Sequence, residues 1–215
     1  MKRRDYLTVT VGGLIVYTLD RMPGMAQGRL IRVPLRFFTE PEALIIAAAA
    51  ARIFPSDESG PGANEAGVII YIDRQLAGPY GRGRYRYAEA PFEEGPPELG
   101  YQGKAPPREI YREGLALLGA DFRTLTPQQQ DERLRGMERS VFFDLLRTHT
   151  IEGMFCDPMH GGNADLIGWQ LIGFPGPRMG YFDEVDTHHG RAFRPKPASL
   201  EQVMGRKVRP SEDEP

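Results

Sequence analysis

The side chains that could do chemistry crowd into residues 149–177, which read HTIEGMFCDPMHGGNADLIGWQLIGFPGP. This stretch holds the single cysteine, Cys156, the single tryptophan, Trp169, and two of the four histidines. Three chemistries can be tried on it. As a metal site, Cys156 and His160 offer one ligand pair, with His188 and His189 as a distant supplement. Structural zinc asks for two such pairs, so the spacing falls short. As a nucleophilic site, Cys156 could pair with His149 or His160, although a lone cysteine is more often a buried, inert thiol. As an acid–base site, Glu152, Asp157 and Asp165 could supply carboxylates. Asp157-Pro158 and Asp165 suit a turn and a helix cap equally well. No complete catalytic constellation emerges, and an exported enzyme working through Cys156, His160 and nearby carboxylates stands as the alternative reading.

The elements around this stretch read as helices. Thr39-Glu40-Pro41-Glu42 carries a cap residue, an early proline and a capping-box glutamate. The LIIAAAAARIF that follows is apolar nearly all round, which places its helix in the centre of the fold. A second helix is expected from near Asn64 to Gly78-Pro79, with Val68, Ile69, Ile72 and Leu76 on one face. A third runs from about Pro107 to Gly119. Thr126-Pro127-Gln128-Gln129 opens a fourth, whose charge run of Asp131, Glu132, Arg133, Arg135, Glu138 and Arg139 reads as a solvated face. A fifth starts near Ser140 and puts Phe142, Leu145, Leu146 and His149 on one stripe, where His149 reads as a hydrogen-bonded core histidine. Asn163 is the natural cap of a sixth helix, with Leu166, Trp169 and Ile172 facing the core. The expected fold is mainly α, a compact bundle of about five to six helices with long Gly/Pro-rich loops and an extended C-terminal tail.

Between the second and third helices lies a long segment without evident structure, residues 78–107. Arg82, Arg84 and Arg86 alternate there with Tyr80, Tyr85 and Tyr87. That is the composition of a single-strand nucleic-acid platform, but also of a protein interface. A net charge of −2 argues against nucleic acid as the partner. Gly81-x-Gly83 lacks a third glycine and is no dinucleotide fingerprint. The segment is therefore expected to be an arm lying on a partner protein.

The chain opens Lys2-Arg3-Arg4-Asp5-Tyr6-Leu7. Paired arginines followed by an aromatic and a leucine resemble a twin-arginine export signal. The mildly apolar run from Leu7 to Leu19 has the length of a signal h-region and is too short to span a bilayer. A β-strand is the alternative, since Thr8 to Val11 are β-branched. Three segments are expected: a signal segment 1–27, a helical domain 28–180, and an extended or partly disordered tail 181–215. The tail has room for a short helix near Ser199–Met204. An export signal on a chain with no cofactor motif of its own suggests that the cargo is a bound partner.

Taken together the motifs resemble the small (gamma) subunit of gluconate 2-dehydrogenase and its relatives among membrane-bound, flavin-dependent sugar and polyol dehydrogenases. The resemblance runs through Phe37-Phe38-Thr39-x-x-Glu42, Ile53-Phe54-Pro55, the run from Ile72 to Gly81, Gly100-Tyr101-Gln102 and Tyr111-Arg112-x-Gly114-Leu115. It continues at His149-x-x-Glu152-Gly153, Asp157-Pro158, Gly161-Gly162-Asn163, Gly168-Trp169 and Gly173-Phe174-Pro175-Gly176. The resemblance implies a non-catalytic accessory subunit with no cofactor of its own. Its partners would be a catalytic FAD-bearing subunit, a cytochrome c subunit and the twin-arginine translocase, and its location the periplasm or the periplasmic face of the inner membrane. The partner surface is expected at Tyr80, Arg82, Arg84, Tyr85 and Tyr87, together with Cys156, Asp157, His160, Gly161, Gly162, Asn163 and Trp169. In an exported protein the odd Cys156 could form an intersubunit disulfide, with a buried free thiol as the alternative.

Overall fold

A computed structural model describes residues 14–16, 32–84, 86, 90–92, 95–178, 180, 184 and 187–207. Arg3, Arg4, Tyr6, Leu7, Tyr85 and Tyr87 lie outside the described residues. Among those described, the fold is helical: α1 (Glu40–Ile53), α2 (Val68–Ala77), α3 (Pro107–Leu118), α4 (Pro127–Gly136), α5 (Val141–Phe155), α6 (Ile167–Ile172) and α7 (Leu200–Lys207). A two-stranded antiparallel ribbon joins β1 (Leu14–Val16) to β2 (Arg32–Pro34), with Ile15 opposite Val33. No described helix is long and apolar enough to cross a membrane.

The helix starts follow local chemistry. The Glu42 carboxylate accepts from the Thr39 amide at 2.8 Å, so the first turn of α1 is closed as its sequence requires. At α4 the box is reciprocal: Thr126 Oγ1 accepts from Gln129 N at 3.3 Å, and Gln129 Oε1 accepts from Thr126 N at 2.9 Å. Ser140 caps α5 by accepting from the Phe143 amide. α1 is buried on several sides, and Ala43, Ile46, Ala49 and Ala50 are essentially inaccessible. Alanines let neighbouring helices come close, and α1 packs on α2, α3, α4 and α5.

α2 and α5 form the central pair, and Gly153 is what lets them meet. A Cβ at Gly153 would already lie 3.1 Å from Val68 and 3.3 Å from Tyr71. The backbone entering this pair is fixed by Asp73. Its buried carboxylate accepts from the amides of Arg36, Phe37 and Phe38 at 2.7–3.0 Å. At the other end of α2, the Arg108 guanidinium donates to the Leu76 and Ala77 carbonyls, where a helix presents unpaired acceptors and partial negative charge.

Three expectations need correction. α2 begins at Val68 rather than near Asn64, because Gly67 sits at φ 68° and breaks the helical path just before it. α6 does not start at Asn163. Asn163, Asp165 and Leu166 all have positive φ, so only Ile167–Ile172 winds as α-helix, and Ile172 points outward with 60% exposure. The charges of α4 are not simply solvated: Asp131 binds Arg52 of α1 through two bonds of 2.7 and 2.8 Å, and Arg133 binds Asp121.

Candidate functional site

The α2–α5 pair brings together the two regions that the sequence separates by some seventy positions. Tyr80, at the base of the Arg/Tyr segment, lies 2.9 Å from His149 Nε2, and Tyr111 of α3 lies 3.0 Å from Nδ1. One helical turn further along α5, the Glu152 carboxylate accepts from the Tyr71 hydroxyl at 2.8 Å. One more turn brings Cys156. Burial pushes the His149 imidazole down to about 4, so the ring is neutral at ordinary pH. Burial likewise raises all three tyrosines, Tyr71, Tyr80 and Tyr111.

This arrangement decides between the chemistries open to the cysteine. Both nitrogens of His149 are engaged by tyrosines, so it is not free to deprotonate Cys156. The thiol is half-buried beside the Gly153 carbonyl, and burial pushes it up to about 11. A thiol held that high carries little thiolate, which is the form that attacks carbonyls or exchanges disulfides. His160 is exposed and makes no side-chain hydrogen bond to Cys156 among the described residues. No group of three or more His, Cys, Asp or Glu is placed to hold a metal among the described residues.

The glycine-rich turns are close-packed structure. A Cβ at Gly162 would stand 2.1 Å from the Gly153 carbonyl oxygen, and one at Gly168 would stand 1.9 Å from the Met154 carbonyl oxygen. Asn163, wholly buried, ties the turn together: Nδ2 donates to the Cys156 carbonyl and Oδ1 accepts from the Gly168 amide, each at 2.8 Å. Trp169 is 4% exposed and donates its indole N–H to the Phe155 carbonyl. Gly162, Asn163 and Trp169 are therefore consumed inside the chain and offer a partner no side-chain surface, which corrects their expected place at the interface. The sequence flagged them because rare and turn-forming residues mark tight packing as readily as binding.

What stays open on this face is a smaller set. Tyr80, Arg82, Arg84 and His160 are exposed, while Cys156, Asp157 and Gly161 are partly covered. The Arg74 side chain lies across Gly161, within 2.7 Å of where a Cβ would be, and makes no hydrogen bond or ion pair among the described residues. Beyond Tyr80 the loop is held by its own Arg86, whose guanidinium donates to the Tyr101, Gly103 and Ala105 carbonyls and stacks over the Tyr101 ring. Phe92, Leu99 and Tyr101 remain exposed on it.

The segment after the resemblance also reaches this site, which the sequence did not signal. Ala198 N donates to the Pro175 carbonyl, and Leu200 N, in the first turn of α7, donates to Asp157 Oδ2 at 2.7 Å. Residues 198–200 are thus docked on Pro175 and Asp157.

With this geometry in place, the family model for gluconate 2-dehydrogenase subunit 3 matches residues 40–176. The chain belongs to that family. The matched span starts at α1 and ends where Gly176 meets Ala198, so it contains the whole α2–α5 centre and its glycine-rich turns. No curated protein and no solved structure matches the chain. The family is one of dehydrogenase subunits, and the helical bundle expected for it is the fold observed.

Proposed function

We propose that this chain is the non-catalytic small subunit of a periplasmic, FAD-dependent sugar or polyol dehydrogenase complex. In this reading it supports maturation of the catalytic subunit and carries it through the twin-arginine translocase, with a cytochrome c subunit completing the assembly. The family match over residues 40–176 is the observation that carries the proposal. The engaged His149 and the poorly ionised Cys156 support it, since the residues best suited to chemistry are tied up in the fold. The opening Arg3-Arg4-Asp5-Tyr6-Leu7 supports the export role. The open face of Tyr80, Arg82, Arg84, His160 and the partly covered Asp157 is the surface assigned to the catalytic subunit, which would bring the FAD.

Purifying the tagged chain from its native host tests this. A yellow, FAD-bearing chain should come with it, and a solitary protein with dehydrogenase or hydrolase activity would overturn the reading. Replacing Arg3 and Arg4 with lysine should strand both chains in the cytoplasm. Continued export of the partner would remove the carrier role.

A further inference from the structure

The two tyrosines that bracket His149 differ in one respect that fixes the direction of both hydrogen bonds. Tyr111 is fully buried, at 0% exposure, whereas Tyr80 is 39% exposed. A neutral imidazole has one N–H to give and one lone pair to receive, and burial keeps this one neutral. Suppose Nδ1 carried the hydrogen. It would donate to Tyr111, and the phenolic hydrogen of Tyr111 would be left in the interior without an acceptor, since His149 is its only hydrogen-bond partner among the described residues. An unmet buried donor is a costly defect. In the other arrangement Tyr111 donates to Nδ1, Nε2–H donates to the Tyr80 oxygen, and every buried hydrogen is satisfied. The phenolic hydrogen of Tyr80 is then the one left over, at the half-open end. The Glu152 carboxylate, three residues along α5, receives Tyr71 and makes no bond to Tyr80.

We propose that His149 is held as its Nε2–H tautomer by Tyr111, and that this makes the Tyr80 hydroxyl an outward donor for an acceptor on the catalytic subunit, a carboxylate or a main-chain carbonyl. The partner half of this inference rests on the subunit reading above; the tautomer does not. Tyr111 and His149 are then positioning residues, and Tyr80 is the contact. The arrangement has a direction: Tyr80 receives from His149 and has its hydrogen to give to the partner.

Long-range proton–nitrogen correlation on the full chain, labelled in its four histidines and assigned with His149→Gln, reads the tautomer directly. The expected spectrum has Nδ1 as the unprotonated acceptor and Nε2 protonated; the reverse pattern overturns the proposal while leaving the subunit reading intact. In the co-expressed complex, Tyr80→Phe should weaken binding of the catalytic subunit about tenfold, the worth of one hydrogen bond to a charged or carbonyl acceptor. The isolated Tyr80→Phe chain should melt below wild type, because His149 is only 1% exposed and its freed Nε2–H loses its acceptor, so affinities are compared at a temperature where both chains are folded. Unchanged affinity refutes the outward donor. If no catalytic subunit accompanies the chain at all, the subunit reading and the partner half fall together, and the spectrum still decides the tautomer.

Discussion

The glycine-rich turns after α5 and the Arg/Tyr loop after α2 look alike in sequence, both dense in glycine, aromatic and polar residues, yet they use them oppositely. In the turns those residues are spent inward: Asn163 and Trp169 bind carbonyls of the same chain, and the glycines let backbone touch backbone. In the loop Arg82, Arg84, Phe92, Leu99 and Tyr101 are exposed, while Tyr80 reaches in to His149 and the segment's shape is held by Arg86 and the Tyr101 hydroxyl. The difference lies in what surrounds each segment. The turns stay closed over the C-terminal end of α5, where unpaired carbonyls must find donors, whereas the loop touches the end of α2 only as it leaves it, where Gly81 packs on the Leu76 carbonyl, among the described residues. Unusual composition therefore marks a place where the chain is constrained, and only the neighbours reveal whether the constraint is internal packing or a waiting surface.

This contrast can be broken by mutation, beginning inside the turns. Gly168→Ala drives a methyl into the Met154 carbonyl and should cost more than about 3 kcal/mol, the upper range for overpacking. Urea unfolding would read it, and a loss below about 1 kcal/mol would mean that the turn is loosely packed. Asn163→Ala strips two buried hydrogen bonds and should cost about 2–3 kcal/mol; Asn163→Asp keeps the acceptor for Gly168 but sets a carboxylate against the Cys156 carbonyl and should not rescue it.

Acid probes the centre beneath both regions. His149 titrates near its ordinary 6.5 when unfolded and at about 4 in the fold. Between those values the unfolded chain binds the extra proton, so stability is intact above the upper value and falls as pH drops toward the lower one. The loss should reach roughly 3 kcal/mol, and His149→Gln should flatten that part of the stability profile. At the small end, Leu99→Ser on the exposed loop should change stability by less than about 0.5 kcal/mol. A larger effect would show that the loop is part of the core after all. Cys156 should run uncrosslinked on non-reducing gels of the complex, as its half-buried, weakly acidic thiol requires.

Much of the fold was legible because it is local. The caps at Thr39, Thr126 and Ser140 and the all-round apolar α1 are written in consecutive residues, and His149 on an apolar stripe had to be hydrogen-bonded by something. The partners of that histidine were not legible, since Tyr80 and Tyr111 are 69 and 38 positions away. The same holds for Asp73, whose three amides come from a turn 35–37 residues earlier. α6 was misjudged for a different reason. Three non-glycine positions within four residues, Asn163, Asp165 and Leu166, lie in the left-handed region against local preference, and the close approach of Gly162 and Gly168 to α5 holds them there. Within the candidate site, Tyr71, Tyr111 and Arg74 were not singled out by residue type, because their places beside His149, Glu152 and Gly161 come from contacts across helices.

The docking of residues 198–200 onto Pro175 and Asp157 has a bearing on when this protein becomes finished. A chain is made from its N-terminus, so α1 to α6 can assemble while α7 is still being synthesised. The Asp157 carboxylate receives its α7 amide only once residue 200 has been added. This contact is thus set only after residue 200 has been made, and a nascent chain stalled before that point would present Asp157 and Pro175 uncovered.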